Sequence, residues 1–234
     1  MNLQEVMQLL AEYGNERTKN TYTKHGATGN FFGVKVGDLK KILKQTKKNH
    51  ALALQLFDTQ NVDAMYLAGL MADEKKINKT TLEQWASQAN WYMISEFTVP
   101  WIAADSPFGW ELGLQWIDQQ QPNIQATGWG TLSSWIVTNA DEELPINTIE
   151  LLLERAKKEI HAAPNRVRYV MNNFIIAVGG IAPLSGQALA AAEKVGKVSV
   201  DMNGTACKVP LAKDYIQKTI DSGRVGHKKK KARC

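Results

Sequence analysis

Two acids in this chain sit four residues after an aromatic side chain: Glu96 after Tyr92, and Asp105 after Trp101. On a helix, that spacing puts both members of a pair on one face, a turn apart. A fixed carboxylate can stabilise developing positive charge and can orient a water molecule as a general base. Asp105 directly precedes Ser106-Pro107 and reads better as a turn residue. Glu96 is open to two readings, a helix-surface or capping acid and a group poised for chemistry. Both pairs lie in an unusual window. All seven tryptophans fall between Trp85 and Trp135, and residues 81–150 hold nine acids but no lysine or arginine. The flanks are basic. Residues 1–80 carry 12 Lys+Arg against 8 acids, and residues 151–234 carry 16 against 6.

Other chemistries find little support. The four histidines (His25, His50, His161, His227) have no ligand spacing, so neither a metal site nor a cofactor is expected. No Ser–His or Cys–His constellation stands out. Gly29 and Gly33 follow no apolar strand and precede no Gly-Lys-Ser/Thr, so they do not form a phosphate loop. The flanking pair Phe31-Phe32 reads as a plug between helices. No run approaches the ~20 apolar residues of a bilayer span. The N-terminus carries Glu5 and no basic start, unlike a signal peptide. Cys207 and Cys234 are too few for a disulfide framework and read as reduced thiols in a cytoplasmic protein. The net charge of +5 favours polyanionic partners.

The elements that must position these residues are helices. Leu3, Val6, Met7, Leu10 and Ala11 recur at helical spacing, and Asn15 can cap a second helix that ends at Gly26. Leu39, Ile42 and Leu43 oppose a lysine face made of Lys40, Lys41, Lys44, Lys47 and Lys48. Thr80 and Glu83 have capping-box spacing. Further helices are expected over 94–104, 108–119, 123–138 and 145–160. Pro107, Pro122, Pro145 and Pro164 stand at or just before helix starts, where a missing N–H is harmless. A long helix covers 164–178, with Asn165 as its candidate cap. Only residues 196–208 have strand character, with a hairpin signal at Asn203-Gly204. Helix pairs recurring every 35–45 residues imply an all-α solenoid of the HEAT kind. One domain is expected over 1–221, followed by a basic, disordered tail over 222–234. Trp85, Trp116 and Trp135 read as core. Trp129, between Gly128 and Gly130, reads as packing where two helices approach closely.

Three stretches resemble the HEAT-like-repeat DNA alkylation repair proteins, which include alkylpurine DNA glycosylases. They are FFGVKVGDLKKILK (31–44), NWYMISEFTVPWIAAD (90–105) and VRYVMNNFIIAVG (167–179). The likeness covers about residues 5 to 220. It implies a curved stack of helix pairs whose concave, basic groove holds duplex DNA. It also implies hydrolysis of the N-glycosidic bond of N3- or N7-alkylated purines. A monomer is expected. In that reading Glu96 is the catalytic carboxylate, where the family's glycosylases have aspartate. Trp91 and Tyr92 form the aromatic pair at the lesion sugar. The family's arginine position falls at Gly128, and its later tryptophan position falls at Asn173. An alkylated purine is already cationic and departs neutral, so the sugar's developing charge is what a carboxylate must meet. Arg166 and Arg168, near a helix N-terminus, are expected on the DNA backbone with Lys208. Lys213 and the tail lysines Lys228–Lys231 would extend that strip. The basic flanks would then grip phosphate, and the middle window would supply the carboxylate and aromatic contacts. The alternatives are a non-catalytic binder of damaged or branched DNA, and a scaffold for a protein partner.

Overall fold

A computed structural model describes residues 1–233; Cys234 lies outside the described residues. The helices are α1 Leu3–Tyr13, α2 Glu16–Lys24, α3 Val36–Thr46, α4 His50–Asp58, α5 Val62–Met71, α6 Lys79–Gln88, α7 Val99–Ala104, α8 Gly109–Ile117, α9 Pro122–Ile136, α10 Ile146–Glu159, α11 Asn165–Val178, α12 Ser185–Val195 and α13 Ala212–Asp221. A π-helical turn, Met93–Thr98, runs directly into α7.

Among the described residues, eight of the thirteen helices start by one of two devices. In the first half, asparagine side chains accept a backbone N–H of the first turn: Asn2 from Glu5, Asn15 from Thr18, Asn49 from Leu52, Asn61 from Ala64 and Asn78 from Thr81. Each such cap contributes about 1 kcal/mol. Asn78 takes the place expected of the Thr80–Glu83 box. In the second half, Pro122 occupies the first turn of α9, and Pro145 and Pro164 immediately precede α10 and α11. Asn165 does not cap α11. Its side chain instead bonds the backbone of Asp201 in both directions, at 2.9 and 2.7 Å.

That contact fixes the loop expected to be a β-ribbon. Among the described residues there is no strand, only an isolated bridge between Asn30 and Asn61. Asn203 and Gly204 do turn through positive φ, 56° and 67°. The alternating valines serve docking rather than pairing: Val198 is buried and Val200 packs against the core.

Helices pack as pairs in two layers. α5, the π-turn with α7, α9, α11 and α13 pack in succession along one layer. α4, α6, α8, α10 and α12 back them. The core runs through the array as two clusters that meet at Trp116 and Ile117 on α8. Trp85 stacks on Phe57 with ring centroids 4.0 Å apart, and Trp129 meets Phe174 edge-on at 5.0 Å. These tryptophans form the spine of the array. No single helix is long and apolar enough to cross a membrane.

The loop between α2 and α3 is organised by one buried acid. Asp63 accepts N–H bonds from Phe32, Gly33 and Val34 at 2.6, 3.0 and 3.0 Å. Gly33 turns at φ 79°, and a Cβ there would stand 2.6 Å from the Lys19 backbone nitrogen. Asp63→Asn would put an NH2 group against at least one of these donors and leave a buried N–H unsatisfied. A loss of about 2 kcal/mol is expected, read as a lower denaturant midpoint with unchanged slope.

The tail departs from its expected disorder. Its path crosses the C-terminal ends of successive helices in one layer. Gly226 N–H bonds Gly180 O beyond α11, and Lys229 N–H bonds Val137 O beyond α9, both at 2.8 Å. Lys228 Nζ reaches Ile136 O at 3.0 Å and Asp141 at 2.6 Å. Ala232 N–H bonds Asp105 at 2.8 Å. Arg233 donates to Gly69 O and Ala72 O at the end of α5 and pairs with Glu74. Helix C-termini carry negative partial charge. An acid also follows each of three helices: Glu74 after α5, Asp105 after α7 and Asp141 beyond α9. A lysine-rich segment therefore has a row of complementary sites to lie on. Burial would raise the Glu74 carboxyl, but Lys231, Lys48 and Arg233 hold it far below the usual range.

Candidate functional site

The sequence places Pro100 four residues after Glu96. Proline has no N–H to give to the Glu96 carbonyl, so the α-helical ladder cannot continue there. The chain widens to a π-turn instead. Val99 N–H bonds Ile94 O, five residues back, and Thr98 Oγ1 donates to Met93 O at 2.9 Å. Gly130 on α9 lets the two backbones close: a Cβ there would lie 3.2 Å from Glu96 O and 3.0 Å from Pro100. π-Turns of this kind often mark functional sites.

Glu96 faces α11. Arg166 Nε and Nη2 donate to its two carboxylate oxygens, each at 2.6 Å. The guanidinium lies between two tyrosine rings, 4.6 Å from the centroids of Tyr92 and of Tyr169. Its Nη1 reaches Met202 Sδ at 3.4 Å. The Glu96 side chain is 1% exposed and that of Arg166 27%. Burial pushes the Glu96 carboxyl up to about 7, against the opposing pull of Arg166. A planar cation, two aromatic faces and a carboxylate thus form one closed assembly.

Two of the cavities beside this assembly share Tyr169 and Lys208 in their lining. One, of about 380 Å³, is lined by His25, Trp91, Tyr92, Arg166, Tyr169, Met202, Cys207 and Lys208 among others. The other, of about 480 Å³, is a groove along the layer of α7, α9, α11 and α13. Phe97, Trp101, Ser133, Tyr169, Asn173, Tyr215, Lys208 and Lys229 line it.

The expected site residues are therefore partly gathered. Glu96, Tyr92 and Arg166 meet in one contact, and Asn173 lies in the adjoining groove with Tyr169. Trp91 is not a groove-facing aromatic. It is 5% exposed, its indole N–H donates to His25 O at 2.9 Å, and Tyr22 and Tyr92 pack against its ring. Arg166 is held on Glu96 rather than presented to phosphate. Arg168 is likewise committed within the protein, to Ala163 O and Ser199 O, both at 2.9 Å. Lys208 is exposed at the mouths of both cavities. Gly128 has no room for a side chain, so the guanidinium beside the carboxylate comes from α11 and not from α9. Among the described residues, no three His, Cys, Asp or Glu side chains come together as a metal site.

The model of the family described as DNA alkylation repair enzyme matches residues 6–190. The chain belongs to that family. Uncharacterised proteins of Listeria innocua and Listeria monocytogenes are 35% and 36% identical over 211 residues, spanning 87% of this chain and 91% of theirs. A solved structure superposes with a TM-score of 0.89 at 34% identity over the whole of both chains. That protein belongs to a group related to the HEAT-like repeat DNA glycosylases, with affinity for branched DNA structures. The HEAT-like fold expected from helix spacing is thus the fold observed. Within this family frame, sequence reasoning missed Tyr169, although it sits three residues after Arg166 and four before Asn173, on one helical face. It also missed Trp101 as a groove residue, having weighed that residue only as a partner for Asp105. Lys229 was foreseen as part of a disordered cation cluster, not as the wall of a groove.

Proposed function

We propose that this member of the DNA alkylation repair family binds branched DNA through its inner groove and does not hydrolyse the glycosidic bond. One observation carries the reading: both carboxylate oxygens of Glu96 are taken by Arg166, out of solvent. A carboxylate that supports an oxocarbenium-like sugar must reach the sugar and the water. Here a guanidinium fills that approach. The affinity of the structural neighbour for branched DNA supports the same reading. Exposed lysines at the groove supply the phosphate contacts that sequence-independent binding needs.

Two assays separate the readings. Methylated DNA incubated with the protein should release neither 7-methylguanine nor 3-methyladenine above a Glu96→Gln control. Branched DNA should bind more tightly than linear duplex of the same length, with affinity falling steeply as salt rises. Base release above the control restores the glycosylase reading. Absence of binding to any DNA at low salt leaves a protein scaffold.

A further inference from the structure

The groove between α7, α9, α11 and α13 has a composition that duplex binding alone does not require. Trp101, Tyr169, Asn173 and Tyr215 line it together. Tyr215 is 55% exposed, the one aromatic among the exposed large hydrophobic side chains of the described residues. Two lysines stand at this groove, Lys208 from the loop before α13 and Lys229 from the tail. Its one acid, Glu96, is neutralised by Arg166. The tail does not offer Lys229 from a loose chain. The Lys229 N–H is bonded to Val137 O, and the neighbouring Lys228 and Lys231 are tied to Asp141 and Glu74.

We infer that this groove seats an unstacked nucleotide of a DNA branch, with its base on Tyr215, Tyr169 and Trp101 and its flanking phosphates on Lys208 and Lys229. A cavity of about 480 Å³ lies in the range that holds small ligands. Bases within a duplex have both faces covered by their neighbours. A base at a branch point does not, and an aromatic platform accepts it whatever its identity. Lys208 and Lys229 line the same groove as the aromatics, and cations there suit the phosphates on either side of a base. Asn173 adds an amide that can pair with a base edge. The inference rests on the branched-DNA reading and specifies how a branch is told from a duplex. It also gives the ordered tail a role, since the strap makes one wall of the site.

The test uses the full chain and a branched DNA carrying 2-aminopurine at its unpaired junction nucleotide. The fully paired duplex with the same label is the control. Anisotropy reports binding, and 2-aminopurine emission reports seating of the base. Wild type should change the emission on the branched DNA only. Tyr215→Ala, an exposed position whose loss spares the fold, should abolish that change and weaken branched-DNA binding about tenfold. Lys208→Ala and Lys229→Ala should each lower the salt slope by about 1. Lys228→Ala, which unties the strap, should lose the emission change although Lys229 remains. Lys158→Ala, on α10 and away from the groove, should alter neither signal. An anisotropy shift with silent 2-aminopurine, or an unchanged response in Tyr215→Ala, overturns the seating and leaves the branched-DNA reading standing. Equal anisotropy for branched and paired DNA overturns both.

Discussion

Arg166→Ala is expected to cost about 3 kcal/mol of stability at pH 8 and about 1.4 kcal/mol less at pH 5, the most that a carboxyl titrating at about 7 can contribute between the two. Removing one member of a buried ion pair leaves the other charge without a partner, which typically costs about 3–5 kcal/mol. The partial exposure of Arg166, 27%, argues for the lower end. Glu96 has no such outlet, at 1% exposure. The pH dependence follows from the same burial. Even with Arg166 present, the folded-state carboxyl stands at about 7, above its ordinary 4.5. The folded chain therefore holds this proton more tightly than the unfolded chain. The stabilisation is complete below the ordinary value and is lost as pH rises through about 7. Without Arg166 the carboxyl rises further and stays neutral at pH 5, where the variant should nearly match the Arg166→Ala/Glu96→Gln double variant.

Glu96→Gln should remove this pH dependence between pH 4.5 and 7. The double variant should be more stable at pH 8 than the sum of the single losses implies, because the stranded charge is gone. Urea midpoints for the four proteins at pH 5 and pH 8 check both statements. Additive losses at pH 8 would mean that the two side chains do not hold each other. The same set bears on function. If DNA drew Arg166 away from Glu96, stability would be lost in the complex, so the pair acts as a lock on the carboxylate.

Much of the fold was legible because it rests on short-range physics. The Asn15 cap, prolines at helix starts and the 3.6-residue spacing of Leu39, Ile42 and Leu43 all act within a turn or two. The glycines around Trp129 correctly marked a close helix approach. The features that stayed hidden depend on partners distant in the chain. The tail looked disordered by composition, since nothing near it in sequence opposes its charge. Its partners are Glu74, Asp105 and Asp141, brought level by the stacking of helices. The charge segregation itself was visible but was assigned to DNA. In the structure, five of the nine acids of residues 81–150 are bridged by bases from the flanks: Glu96, Asp105, Glu111, Asp118 and Asp141. An acidic centre between basic arms is in large part complementarity within one chain. The site was half legible for the same reason. Tyr92 and Glu96 share one turn, whereas Arg166, 70 residues away, could not be placed on them from spacing.

Gly128→Arg is expected to yield no folded protein, and Gly128→Ala to lose about 3 kcal/mol. The resemblance places an arginine at this position, so the substitution looks like a restoration. The packing forbids it. A Cβ at Gly128 would stand 2.6 Å from Ile117 N and 2.9 Å from Trp116 C. Both are backbone atoms of α8, and neither can rotate away. Even a methyl group must push α8 off α9, where these helices share Ile117, Ala126, Trp129 and Leu132 in the core. Overpacking of this kind costs about 1–3 kcal/mol, at the upper end where backbone must move. An arginine would add the burial of an unpaired charge, several kcal/mol more. Gly37→Ala and Gly186→Ala provide the contrast. Both glycines lie in helices, α3 and α12, with nothing within 4 Å of an added Cβ. Each should gain about 0.5 kcal/mol through the reduced entropy of the unfolded chain. Thermal melts of the three alanine variants check the opposite signs, and the soluble yield of Gly128→Arg checks the first statement. An unchanged melting temperature in Gly128→Ala would refute the close approach of α8 and α9. It would also reopen α9 as a source of the guanidinium that Arg166 now supplies from α11.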